Sequence, residues 1–279
     1  MTGTITTRRL VRTAGIMGTV VSVHAILNPS RPGGSRPEDA VTEAIESAFE
    51  QLREGDRVFS TYRATSDISR IRAGSLTEDE ADPRIALVRH ACERAEAATG
   101  GLFSAHWRGG FDPTGYVKGW SIERAFDRCL RPLLEVSGVV AVGMNAGGDM
   151  QLATHPDADW RWRVGIVDPA RPGSLVATTE LRDGAVATSG TAERGAHVLD
   201  PRTGRPATDA ASATVISDRL GDADVWATAA VVGGIADLGW VARSRPTSGL
   251  IIGSDGRIRR WASGVEVSPP DLVAMGPVD

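Results

Sequence analysis

Helix-type and strand-type periodicities occupy different halves of this chain, and they never alternate as strand–helix–strand units. Before residue 131, apolar residues recur at three- and four-residue steps in three stretches. These are Val41, Ile45, Phe49 and Leu52, then Ile85, Val88, Cys92 and Ala95, then Ile122, Phe126 and Leu130, each predicting one buried helical face. After Gly138 the texture is short, β-rich and broken by turns, over 139–144, 162–167, 176–181, 185–188, 213–216, 250–252 and 258–261. One small-residue helix is predicted there, over 222–232. Such segregation specifies an α+β fold, with a helix-rich N-terminal half packed on a strand-rich C-terminal half. No repeat or long linker divides the chain, so 1–279 reads as one unit.

Local signals fill in the frame. Residues 16–27 alternate as a strand, followed by a turn over 28–35. Ser35 and Glu38 have the spacing of a capping box, opening a helix that runs to about Arg57. Ser66 is placed to cap a short helix. Asp82-Pro83 opens the next one and Gly100-Gly101 stops it, while a third is expected to follow Lys118. An N-terminal extension, 1–13, is expected to be poorly ordered.

Charge and apolar patterning exclude several function classes. The formal net charge of -4 argues against a nucleic-acid partner, which calls for a basic face. No apolar run reaches the length of a membrane span. The arginines near the N-terminus have no apolar run behind them, so neither a signal peptide nor a lipobox cysteine is read, and a cytoplasmic location is expected. The 2 cysteines, Cys92 and Cys129, are too few for a disulfide framework or a zinc cluster and read as buried thiols.

Of the 31 basic residues, 30 are arginine. The single lysine, Lys118, lies in Phe111-Asp112-Pro113-Thr114-Gly115-Tyr116-Val117-Lys118-Gly119-Trp120. An ammonium is a compact point charge and a guanidinium a planar fork, so a tight site built for one need not accept the other.

Three further segments carry more Gly, Asp, Ser and Thr than packing requires: Met17-Gly18-Thr19, Phe59-Ser60-Thr61-Tyr62, and a long discontinuous set beginning at Thr188-Ser189-Gly190. In that set, His197 precedes a tight turn at Asp200-Pro201-Arg202-Thr203-Gly204. A histidine pinned this way serves either as a general base or as a partner for the turn. Thr188-Ser189-Gly190 suits a phosphate or an ordinary turn. Asp224 and Thr228 are spaced to share a helix face, giving a hard oxygen set suited to Mg²⁺, on a helix whose N-terminus favours a phosphate. The competing reading is a solvated cap, with Asp222 as N-cap. Asn145-Ala146-Gly147-Gly148-Asp149 is a strand-end turn without a dinucleotide fingerprint.

Taken in order, these segments resemble the FAD:protein FMN transferase family, also called the ApbE family. The resemblance runs from Met17-Gly18-Thr19 to about Gly234. It implies a T-fold-like core and an enzyme that cleaves FAD at its pyrophosphate, moves FMN onto a Ser or Thr hydroxyl of an acceptor flavoprotein, and releases AMP with Mg²⁺ as cofactor. By matching position, Met17, Tyr62, Leu102, Phe103, Ser104, Asp112, Lys118 and Val198 would line the FAD site. The carbonyl of Gly115, Asp224 and Thr228 would hold the metal, with the carbonyl of Ala227 as a further ligand. Asp224 and His197 would be the catalytic pair, His197 activating the acceptor hydroxyl. Ser104 stands where many members have aspartate, Glu123 stands where aspartate is common, and the segment between Gly101 and Asp112 is short. The alternatives within the same resemblance are an FAD pyrophosphatase and a non-catalytic FAD-binding protein.

Overall fold

The alternation read over 16–27 folds as two strands rather than one. In the computed structural model, which describes residues 7–28, 37–107, 110–190 and 198–267, β1 (Arg8–Ile16) and β2 (Thr19–Leu27) form a hairpin around Met17-Gly18. Residues 8–13 are therefore an ordered edge strand and not part of a loose extension. They carry little apolar signal because, of β1, only Leu10 and Ile16 are buried. Arginines on an open edge keep it soluble and discourage pairing with other chains.

The helices follow the expected faces. α1 (Pro37–Phe59) buries Val41, Ile45, Phe49 and Leu52. Ser35, and with it the expected capping box, lies outside the described residues. α2 (Asp67–Arg72) is capped by Ser66, whose Oγ accepts the Ser69 N–H at 3.2 Å. α3 (Arg84–Thr99) ends at Gly100, whose φ of 66° is left-handed. α4 (Thr114–Ala125) starts ahead of Lys118, so the lysine sits inside the helix rather than before it. A π turn (Phe126–Leu130) and a 3-10 turn (Arg131–Glu135) continue its apolar face through Phe126 and Leu130.

The second half supplies β3 (Val139–Ala146), β4 (Asp149–Thr154), β5 (Trp162–Val167), β6 (Leu175–Leu181), β7 (Gly184–Gly190) and β8 (Ala210–Ser217). α5 (Leu220–Gly233), β9 (Ser248–Gly253), β10 (Ile258–Ala262) and β11 (Val265–Val267) complete the order. β4 was not anticipated because it is buried on both faces and shows no alternation; β11 is too short to give a signal.

Nine strands form one antiparallel sheet in the order β1-β2-β3-β4-β7-β8-β9-β10-β11. The pleat sends alternate residues to opposite faces. Val21, Val23, Ala25, Val142, Met144, Ala185, Ala187, Ala213 and Val215 share one core with α1, α4 and α5. Ile26, Ala141, Leu152 and Val186 point the other way, onto Trp162 and Val164 of the separate β5–β6 ribbon. α5 lies across β7 and β8 and packs against α4. That placement brings both helices to the strand-end turns where the polar segments converge. Among the described residues, no helix is long and apolar enough to cross a membrane.

Candidate active site

The β1–β2 turn, the β3–β4 turn and the end of β7 meet the facing sides of α4 and α5 around one cavity of about 280 Å³. Sites for small ligands run to about 300–1,000 Å³, so this cavity lies at the lower end of that range. Its lining includes Met17, Leu102, Phe103, Ser104, Asp112, Gly115, Lys118, Thr188, Ser189, Gly190, Val198, Asp224 and Thr228. Segments far apart in the chain and singled out separately in the sequence are thus brought together.

The turns bear the close contacts. In the β1–β2 turn Met17 has φ 54° and Gly18 has φ 72°; glycine adopts this region freely, whereas methionine does so at a steric cost. In the β3–β4 turn Gly147 has φ 61°, and a Cβ there would lie 2.7 Å from Thr19 Oγ1. The two turns can interlock only because Gly147 lacks a side chain. Asn145 Oδ1 accepts the Gly148 N–H at 2.9 Å and sets the path into Asp149.

Asp149 is 1% exposed and Asp224 5%. Asp149 Oδ1 accepts the Thr188 N–H at 3.0 Å, and its Oδ2 pairs with the Lys118 ammonium. Lys118 Nζ is also 3.6 Å from Asp224 Oδ2. Asp224 Oδ2 accepts the Gly119 N–H at 3.2 Å; the i→i−4 acceptor of that N–H along α4 is the carbonyl of Gly115. Thr228, one turn on from Asp224, shares a hydrogen bond with Ser189 (Oγ–Oγ1 3.1 Å). The solvated-cap reading of Asp224 is corrected, because the carboxylate is buried and in contact with α4.

Two further expectations change. Arg219, not Asp222, precedes α5 as its N-cap. The first amides of α5 are taken by distant side chains: Leu220 N–H donates to Gln151 Oε1 at 3.0 Å and Gly221 N–H to Glu123 Oε2 at 3.0 Å. Those two donors are therefore not available to a phosphate. It is instead the start of α4, Thr114 and Gly115, that lines the cavity. There Asp112 Oδ1 accepts both the Thr114 N–H (3.2 Å) and its hydroxyl (2.7 Å) and orders the first turn of the helix.

Three remaining site expectations fall differently. Ser104 lines the cavity, but its hydroxyl donates to Glu96 at 2.9 Å and accepts the His106 N–H at 3.0 Å, which ties down the short segment. Ala227 is fully buried and not part of the lining. Tyr62 is 94% exposed and is not part of the lining. His197 lies outside the described residues. The turn after it closes as expected, with Thr203 and Gly204 N–H donating to the Asp200 carbonyl at 3.2 and 2.8 Å. Trp107, Leu199 and Pro201 also line the cavity and were not anticipated. They sit in irregular segments where no period marks a buried residue.

The donor chemistry fits a hard divalent cation. Asp224, Thr228 and Gly115 offer carboxylate, hydroxyl and carbonyl oxygen around one cavity. Two buried carboxylates, those of Asp149 and Asp224, are within reach of a single lysine. Among the described residues, no group of three or more His, Cys, Asp or Glu side chains could cage a metal. Mg²⁺ suits such a sparse set, since it keeps water and phosphate oxygens as ligands.

These features define an α+β protein whose cleft opens between two helices and the strand-end turns of one antiparallel sheet. The chain belongs to the ApbE family, whose sequence profile matches residues 17–109 and 105–251. It is 36% identical over 132 residues to a Rhodobacter capsulatus FAD:protein FMN transferase, covering 44% of this chain and 24% of that protein. To the Salmonella typhimurium FAD:protein FMN transferase it is 28% identical over 145 residues, covering 48% and 41%. The matches thus span less than half the length of either relative. The apo Pseudomonas stutzeri flavinyl transferase ApbE has the same fold, with a TM-score of 0.69 at 22% identity and 98% of each chain covered.

Proposed function

We propose that this protein transfers FMN from FAD to a Ser or Thr hydroxyl of an acceptor flavoprotein and releases AMP, with Mg²⁺ as cofactor. The observation that carries the reading is that charged and apolar groups line one cavity together. Lys118, Asp224, Thr228 and the hydroxyls of Thr188 and Ser189 share it with Met17, Leu102, Phe103, Val198 and Trp107. A ligand with charged phosphates joined to a flat ring system matches that mixed lining, and the family relatives are named for such a substrate.

Phosphoryl transfer depends on positioning and on charge neutralisation. Lys118 presents an ammonium to the phosphates, and the apolar lining residues receive the ring. Asp224, Thr228 and the carbonyl of Gly115 would hold Mg²⁺, which supplies charge neutralisation at the pyrophosphate. The acceptor oxygen forms a bond to the FMN phosphorus, the bond from that phosphorus to the AMP oxygen breaks, and AMP departs. The acceptor proton passes to a general base, the role the family resemblance gives to His197.

The test is mass spectrometry of a Ser/Thr acceptor flavoprotein after incubation with this chain, FAD and Mg²⁺. An FMN adduct with one AMP released per adduct is expected. FMN and AMP without an adduct would make the protein a pyrophosphatase, and unconsumed FAD would make it a binding protein.

A further inference from the structure

We infer that Asp149 is a positioning residue that acts through Lys118. It draws the ammonium to itself, so that Lys118 compensates one buried carboxylate and leaves Asp224 able to accept a divalent cation. The inference rests on the proposed metal role of Asp224.

Three elements build the arrangement: Asp149 begins β4, Lys118 lies in α4 and Asp224 in α5. Lys118 and Asp224 line the cavity, whereas Asp149 does not. A carboxylate behind the lining reaches a ligand only through the residue it holds. Its orientation is fixed from the other side by the Thr188 N–H on Oδ1, which directs Oδ2 at Lys118.

The geometry is unequal in the direction the inference requires. Lys118 pairs with Asp149 Oδ2, a buried oxygen with no other partner among the described residues, and stands 3.6 Å from Asp224 Oδ2, which already accepts the Gly119 N–H. Without Asp149, the ammonium has one buried carboxylate left to pair with, the one a metal would need. A buried unpaired charge is costly, so Lys118 would close on Asp224. The arrangement also accounts for the single lysine in a chain of arginines. A compact ammonium fits between two carboxylates, while a planar fork would engage both oxygens of one of them and project past it.

Mn²⁺ binding to the whole chain without FAD, followed by electron paramagnetic resonance, tests this independently of turnover. Asp149→Asn should weaken Mn²⁺ roughly tenfold, because Lys118 then neutralises Asp224. Lys118→Met should leave Mn²⁺ affinity within about threefold, because Asp149 already holds the ammonium off Asp224, and in that background Asp149→Asn should cost less than about threefold. An equal loss in both backgrounds would overturn the inference by making Asp149 act on the metal or the fold directly. Unchanged affinity in Asp149→Asn would overturn it as well. If Asp149→Asn does not fold, Asp149→Ser in the same two backgrounds decides the matter, since a loss of Mn²⁺ affinity that persists without the ammonium overturns the inference. Failure of the wild-type chain to bind Mn²⁺ would instead overturn the metal reading itself, and this inference with it.

Discussion

Gly119 and Asp224 touch across the α4–α5 interface. The Gly119 N–H donates to Asp224 Oδ2 at 3.2 Å, and a Cβ on Gly119 would stand 2.9 Å from both Asp224 Cβ and the Leu220 carbonyl oxygen. Real Cβ atoms do not approach so closely, and two of these neighbours are rigid. Gly119→Ala should therefore part the helices and displace Asp224, costing about 1–3 kcal/mol as overpacking does. Urea denaturation reads the stability loss, and Mn²⁺ affinity should fall with it. A variant of wild-type stability and affinity would show that the interface relaxes without moving the carboxylate.

The α5 N-terminus depends on Glu123 and Gln151 for its caps, and neither is local in sequence. Glu123 also pairs with Arg219. Glu123→Ala should leave the buried Gly221 N–H without its partner and lower stability by about 1–3 kcal/mol. Glu123→Gln can still accept from Gly221 but loses the ion pair, which is largely solvent-screened because the Arg219 side chain is 66% exposed. The expected order by denaturant midpoint is wild type, then Gln, then Ala. If Gln and Ala were equal, the ion pair and not the cap would be what matters.

What the sequence made legible, and what it did not, separates along physical lines. α1 and α3 are legible because one face of each is buried against the rest of the chain and keeps the helical period. α4 begins ahead of its sequence signal because Gly115 and Gly119 weaken local helix propensity. Gly119 is required by contact with α5, which no local window contains. Asp224 is recognisable by spacing, but its burial follows from the packing of α4 on α5, where Gly119 meets it. The order of short motifs identified most of the cavity lining. The pairing of Asp149 with Lys118 depends on the β3–β4 turn facing α4, a tertiary relationship that residue types do not encode.

Alkaline pH should destabilise the fold through one buried thiol and one partly buried phenol. Burial pushes the Cys92 thiol up to about 12 from an ordinary 9.0, and the Tyr116 phenol up to about 12 from 10.0, with Glu123 adding to the latter. Above pH 9 the unfolded chain releases these protons while the folded chain retains them. The folded state then binds more protons, so stability falls as pH rises, from about 9 to 12. Urea midpoints at pH 8 and pH 10 should differ in that sense, and Cys92→Ala should reduce the difference. Cys129 is only half-buried, not the fully buried thiol expected, and accepts from Gln51 Nε2 at 3.0 Å. Burial raises its thiol too, so in the native state it should alkylate slowly, yet ahead of Cys92.

Two aromatic residues compete for the role of ring platform, and the structure separates them. Tyr62, the position implied by family resemblance, is 94% exposed and outside the cavity, while Trp107 lines it beside Leu102 and Phe103. Aromatic stacking on a nucleobase contributes about 1–3 kcal/mol. Trp107→Ala should accordingly weaken FAD roughly tenfold or more, by equilibrium dialysis, and Trp107→Phe should restore most of it. Tyr62→Ala should leave FAD affinity within about twofold, because a ring that stays in water gains nothing from a ligand bound elsewhere. If Tyr62→Ala caused the larger loss, the loop after α1 would have to close over the bound ligand, carrying Tyr62 to a ring that Trp107 does not reach. Competition by AMP and by FMN against each variant identifies the ring involved. The stacked moiety's own fragment should lose affinity in Trp107→Ala, while the other fragment keeps it.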